Sequence, residues 1–272
     1  MFIEITDDFS LTKIAESGQC FRAKLLDDGT WRFITGKNIL HIRQHPHNRY
    51  EIDCSASKWH QTWLPYFDLD RNYSLVRSRI AETDSYMKNA ADSGTGLRIL
   101  RQDPWEMLLT FIISQQKTIP AIKSCVEKIA GMYGELVETP YGRVYLFPSA
   151  SQMQNCSAEE LNQCKLGYRT PYIQDAIDKV TSGQLNLDAL YSYSDMQLFN
   201  ALKSVHGVGD KVANCIALFA YGRTALVPVD TWIRKVIDNV YDGQSPFTRY
   251  GNDAGIMQQY IFYYAQHNKK SL

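Results

Sequence analysis

Lys211 and Asp230 are the residues best placed to do chemistry in this 272-residue chain. Lys211 follows the turn His206-Gly207-Val208-Gly209, and Asp230 comes nineteen residues later, at the end of Val227-Pro228-Val229-Asp230. This order predicts a helix ending at Val205 and a second beginning near Asp210. Two glycines one residue apart allow a sharp turn whose backbone N–H groups converge at that helix start, where a phosphate oxygen can be held without a lysine. An ordinary αα-turn has the same residues. It is not a Walker loop, which needs a fuller glycine spacing and a Lys-Ser/Thr ending. Lys211 falls in the first turn of its helix, where the dipole disfavours a cation. That suits an amine nucleophile, and a solvated lysine is the plain alternative. Asp230 opens the stripe Ile233, Val236, Ile237 and Val240, so it reads as an N-cap; a cap also fixes a carboxylate in place.

Two textures must position these residues. Up to about Tyr73 the runs FIEI, FRAKLL, TWRFITG and ILHIRQ are short and β-rich, with turn signals at Asp28-Gly29 and Gly36-Lys37-Asn38. A helix fits Ser57–Tyr66. From about Asp84 the pattern is helical. Asp103-Pro104-Trp105-Glu106 reads as N-cap, N1 proline and capping-box acid, followed by the stripe Trp105, Leu108, Leu109, Ile112 and Ile113. Ser157 with Glu160 and Ser194 with Gln197 repeat the capping-box spacing. Thr170-Pro171 opens another helix, and Gly183 closes it. Further stripes run through 122–133, 198–205, 212–220, 232–241 and 256–265. The expected fold is α+β: an N-terminal antiparallel β-rich domain over 1–84, then an all-α body over 85–272 with its helix-hairpin-helix at about 198–220.

Composition narrows the classes. Lys and Arg number 29, as do Asp and Glu, so net charge is zero and bulk positive charge cannot recruit a nucleic acid. Cutting the chain near Met87 leaves both parts close to neutral. Any anion site must be local. The six cysteines form no C-x2-C pair, and none after Cys215 could cluster, so neither a structural zinc nor an iron–sulfur cluster is expected. No apolar run approaches a membrane span, and the start MFIEITDDFSLTK lacks a signal-peptide pattern, so a cytoplasmic protein is expected.

HGVGDKVANC…VPVD resembles the helix-hairpin-helix, Gly/Pro-rich loop and aspartate signature of the DNA glycosylase superfamily, and more narrowly its 8-oxoguanine DNA glycosylase branch. SGQCFR (17–22), QDPWEMLLTFIIS (102–114), LGYR (166–169) and AGIMQQYIFYYA (254–265) match further motifs of that branch in order. The resemblance implies a bifunctional glycosylase and AP lyase acting on duplex DNA that carries an oxidised purine. Lys211 takes the catalytic lysine's place, and Asp230 that of the carboxylate that stabilises an oxocarbenium-like sugar. Gly18 matches the glycine whose carbonyl accepts the N7–H of 8-oxoguanine. Cys215 and Phe262 match the residues that sandwich the flipped base, and Gln258 the one that reads its pairing edge. Backbone N–H groups of Gly207, Gly209 and Val212 would grip a phosphate. Carbonyls of Lys203, Val205 and Val208 would hold a structural ion, sodium, potassium or calcium. Tyr168 matches a wedge in the duplex, and Arg169 a donor to the orphaned base. No catalytic cofactor is implied, and the chain is expected to act as a monomer. An alkylated-purine glycosylase is the alternative activity; a non-catalytic duplex-binding module is the alternative of another class.

Three positions depart from the branch pattern. SQQK (114–117) places Gln116 where an asparagine usually fills the gap left by the flipped base. Ala121 replaces a second arginine that checks for cytosine, and Trp232 replaces a histidine near the phosphate. An alanine cannot donate hydrogen bonds, so a relaxed preference for the opposite base is expected.

Overall fold

The structure, a computed structural model, describes residues 1–268. The chain divides into two compact units, neither continuous in sequence. The first comprises Met1–Phe33, Leu40–Arg101 and the chain from Gly222; the second comprises Ile34–Ile39 and Gln102–Tyr221.

The first unit opens with β1 (Phe2–Glu4) and α1 (Leu11–Glu16), the latter capped by the Ser10 side chain. Strands β2 (Lys24–Leu25), β3 (Trp31–Thr35), β4 (Asn38–His45) and β5 (Arg49–Ile52) complete a five-stranded sheet of order β1-β5-β4-β3-β2. The antiparallel register pairs Ile3 with Tyr50 and Ile42 with Ile52. The helix expected at 57–66 is α2 (Ala56–Lys58), a π-helical turn (Trp59–Trp63) and α3 (Leu64–Tyr66) in succession. A widened turn brings residues four apart nearly into line, and Trp59 and Trp63 are both buried in a core with Phe33, Leu40, Tyr66 and Phe67. Short α4 (Tyr73–Ser78) and α5 (Ser85–Ser93) follow. Buried Arg98 ties this unit together, donating to the Asp7 carboxylate at 2.7 Å and to the carbonyls of Asp8 and Asp68 at 2.6 and 2.8 Å. An arginine this deep is stable only because its donors are matched.

Later in the chain, α12 (Thr231–Val240) and α13 (Ala254–His267) return to the same unit. A Cβ on Gly94, at the end of α5, would lie 2.5 Å from the Tyr260 ring of α13. Only glycine permits that approach.

The second unit is helical: α6 (Pro104–Ser114), α7 (Ile119–Tyr133), α8 (Ala158–Gln163), α9 (Thr170–Thr181), α10 (Asp195–Lys203) and α11 (Asp210–Phe219). Both capping boxes form, at Ser157 with Glu160 and Ser194 with Gln197. At α6 the Asp103 carboxylate accepts the Glu106 N–H at 2.9 Å. The predicted stripe of α6 is wider than one face, since every residue from Trp105 to Ile113 is buried. The body is not purely helical, however. Strands β6 (Leu136–Thr139) and β7 (Gly142–Tyr145) form a hairpin whose Val137 and Val144 pack with Ile34, Ile39 and Leu146. Two four-residue strands with a single buried side chain between them, Val144, carry too little alternation to read from sequence.

Candidate active site

Within the second unit, the turn between α10 and α11 is shaped by its glycines and braced by α9. Gly207 has φ +80°, and a Cβ there would fall 2.3 Å from the Tyr172 ring. Tyr172 also packs edge-on to His206, with centroids 4.5 Å apart. The Asp175 carboxylate accepts the His206 N–H at 2.7 Å and pairs with Lys179, whose ammonium donates to the Ser204 carbonyl at 2.8 Å. Burial alone would push Asp175 up, but Lys179 and the His206 N–H outweigh it and hold the carboxyl below its ordinary range. Asp175 and Lys179 were not singled out from sequence. Their only signal was the i, i+4 spacing of the charged pair, which is common on any helix surface.

Gly209 is the N-cap of α11 and brings no side chain to it. The amides of the first turn therefore face outward without a cap, as a phosphate grip requires. Val212, third in the helix, has a buried side chain and supplies one of those amides. Asp210 pairs with Lys203 at 2.6 Å. Lys211 is half-buried, its ammonium 5.6 Å from the centroid of the Phe111 ring, which stacks on Phe219. Cys215 is buried one turn further along. The turn from the last residue of α10, Lys203, to Val208, just before the N-cap of α11, carries the Lys203, Val205 and Val208 carbonyls; that of Val205 accepts the Val208 N–H at 3.0 Å. This is a neutral, all-oxygen donor set.

Two further segments of the same unit meet this turn. The Gln115 side chain donates to the Gly207 carbonyl at 3.2 Å. The Gln115 carbonyl accepts from Arg169, whose guanidinium also donates to Leu166 O at 3.0 Å and lies 4.2 Å from the Tyr168 ring. Arg169 is thus 5% exposed and held by backbone carbonyls, whereas Tyr168 is 50% exposed. Gln116 is exposed and has φ +52°, unusual for a side-chain-bearing residue.

The remaining predicted residues belong to the first unit. Asp230 is the N-cap of α12, its carboxylate accepting the Ile233 N–H at 2.8 Å, so the cap and its fixed carboxylate both form. Gly18 lies just beyond α1 with φ +76°. Gln258 and Phe262 stand one turn apart on α13. Phe262 is half-buried, and Gln258 is buried with its Oε1 lacking a hydrogen-bond partner. An orphaned buried acceptor is costly unless a ligand supplies the donor.

Residues 2–108 match the 8-oxoguanine DNA glycosylase N-terminal domain, and residues 109–245 match the HhH-GPD superfamily base excision DNA repair protein. MBOgg1, solved with a low-affinity DNA ligand, is 32% identical with a TM-score of 0.93, covering 98% of this chain and 96% of that one. The 8-oxoguanine glycosylase/lyase of Clostridium acetobutylicum, solved with duplex DNA carrying cytosine opposite 8-oxoG, is also 32% identical, with a TM-score of 0.89 and coverage of 99% and 98%. The N-glycosylase/DNA lyase OGG1 of Arabidopsis thaliana is 28% identical over 232 residues, 82% of this chain; the match spans 64% of the plant protein. Sequence motifs, fold and both family matches make this chain a member of the 8-oxoguanine DNA glycosylase branch of the HhH-GPD superfamily of base excision DNA repair proteins.

Proposed function

We propose that this protein excises 8-oxoguanine from duplex DNA and then nicks the strand, with Lys211 as nucleophile and Asp230 as the electrostatic partner. The observation that carries this reading is a lysine in the first turn of α11, directly after an uncapped turn braced by α9. A phosphate held by the amides of Gly207, Gly209 and Val212 would bring a deoxyribose to that lysine. The target nucleotide leaves the stack at a cost of a few kcal/mol. The neutral Lys211 amine attacks C1′ as the C1′–N9 bond breaks, and the departing base takes the electron pair and is protonated. Loss of the amine proton and opening of the sugar give a Schiff base. Abstraction of a C2′ proton then expels the 3′-phosphate by β-elimination. Asp230 stabilises the positive charge that develops on the sugar, in the manner of a fixed dipole aimed at a transition state.

Recognition of the flipped base falls to the Gly18 carbonyl, Gln258, Cys215 and Phe262. The orphaned Oε1 of Gln258 accepts a donor from the base's pairing edge. Tyr168 is the wedge, Gln116 fills the gap, and Arg169 reaches the opposite base by releasing the Gln115 carbonyl. The Lys203, Val205 and Val208 carbonyls suit a hard monovalent cation, which when bound would add positive charge beside the phosphate grip. No organic cofactor enters any step. Among the described residues no helix is long and apolar enough to cross a membrane.

Borohydride trapping tests the mechanism, because it reduces the Schiff base to a stable amine. Wild-type protein should form a covalent complex with 8-oxoguanine DNA, and Lys211→Gln should form none. Absence of a complex with wild type refutes the lyase mechanism. Asp230→Asn should slow base release by about 10²-fold or more.

A further inference from the structure

The turn carrying Gly18 is held by α13 through a residue with no part in the chemistry above. Gln259, adjacent to Gln258 and 2% exposed, donates its side-chain N–H to the Ser17 carbonyl at 2.5 Å. On the other side of Gly18, the fully buried Gln19 amide makes three hydrogen bonds. It donates to Ser17 Oγ and to the Arg98 carbonyl, both at 2.8 Å, and accepts the Leu100 N–H at 2.7 Å. Ser17 Oγ in turn donates to the Ile14 carbonyl at 2.8 Å. The peptide before Gly18 and the residue after it are both anchored, so the two torsions of Gly18 have little freedom left. With φ at +76°, the direction of the Gly18 carbonyl is set by these anchors.

We infer that Gln259 is a positioning residue for lesion recognition: by fixing the Ser17 carbonyl, it aims the Gly18 carbonyl that reads N7 of the flipped base. The inference rests on the role given to Gly18 under the proposed function. 8-Oxoguanine has an N–H at N7, whereas guanine has a lone pair there. A carbonyl fixed toward that position accepts from the first and repels the second. A carbonyl free to swing loses both effects, because repulsion discriminates only where the repelling group cannot move away. Helix α13 would then contribute two adjacent glutamines with separate tasks: Gln258 reads the pairing edge, and Gln259 holds the reader of the opposite edge.

The test compares wild type, Gln259→Leu and Gln259→Glu, measuring single-turnover excision of 8-oxoguanine and cleavage of a preformed abasic site, which has no base to read. In Gln259→Leu the ratio of excision to abasic cleavage should fall by about tenfold or more. Gln259→Glu has nearly the same size but donates to the Ser17 carbonyl only when protonated, and its carboxylate repels that carbonyl. Its excision relative to wild type should therefore recover as pH falls from about 8 to about 6, since burial raises a carboxyl's pKa. A purely structural role predicts that both activities fall together with melting temperature, with no recovery in acid. That result, an unchanged ratio in Gln259→Leu, or failure of both variants to fold overturns the inference. If wild type itself does not excise 8-oxoguanine, the Gly18 reading fails instead.

Discussion

Ala121 and Gln116 are the side chains that depart from the branch pattern where the opposite strand would be read. Ala121 is half-buried near the start of α7 and has no donor to offer. Gln116 is presented outward by a left-handed backbone that costs a longer side chain about 1 kcal/mol. With alanine at 121, Arg169 is the one donor left to the opposite base, and it must first leave the Gln115 carbonyl to reach it. Excision rates opposite C, T, G and A should therefore lie within about tenfold, or ~1.4 kcal/mol. Ala121→Arg should raise the rate opposite C over the others by about tenfold. A single-turnover panel of four duplexes measures both, and a wild-type spread beyond that range would show that cytosine is read by other groups. The helix start at Lys211 and the cap at Asp230 were legible in the sequence because each has a local signature, whereas Gly18 was reached only through the resemblance. Gln259 was not legible, because its partner lies 242 residues away.

Among the elements, the helix-hairpin-helix depends on α9 as much as on its own glycines. Gly207→Ala combines a left-handed φ with overlap of the Tyr172 ring, so it should destabilise the fold by about 1–3 kcal/mol and weaken DNA binding. Adding Tyr172→Ala should restore part of the binding by clearing the ring, with the residual deficit measuring the backbone term. Gly209→Ala meets nothing within 4 Å and has an ordinary φ of −91°, so its thermal midpoint should stay close to wild type. Calorimetry and a binding titration on the three variants separate these terms; equal destabilisation at both glycines would contradict the packing argument. Caps and helix stripes were readable because they are local and periodic. The brace from Asp175 and Lys179 and the β6–β7 hairpin were not, since tertiary contacts rather than periodicity define them.

At the scale of the whole molecule, neutral charge excludes capture of DNA by bulk attraction and puts the burden on a few groups held in place. Much of the charge is spent internally. Burial would raise the Asp7 carboxyl, but the N–H groups of Tyr73 and Ser74 and the Arg98 guanidinium overcome it, leaving the carboxyl below its ordinary value of 3.8. A carboxyl depressed in the folded state stabilises fully above its unfolded value and loses that contribution as pH falls through the folded one. Asp7→Asn should therefore be less stable than wild type at neutral pH, with a flatter decline as pH falls below the ordinary carboxyl value of 3.8; parallel acid limbs in chemical denaturation would refute this. The β-then-α order of the chain was plain from its texture. That the C-terminal helices join the N-terminal unit was not, because apolar stripes do not name their partners. One residue described earlier, Gln115, links the end of α6, the Tyr168-Arg169 segment and the Gly207 turn through its side-chain amide and its backbone carbonyl. Its consequence concerns search rather than chemistry. Three segments already ordered against one another lose little conformational freedom at each encounter with a duplex, so an enzyme that must inspect many undamaged base pairs need not reassemble its reading surface at every one.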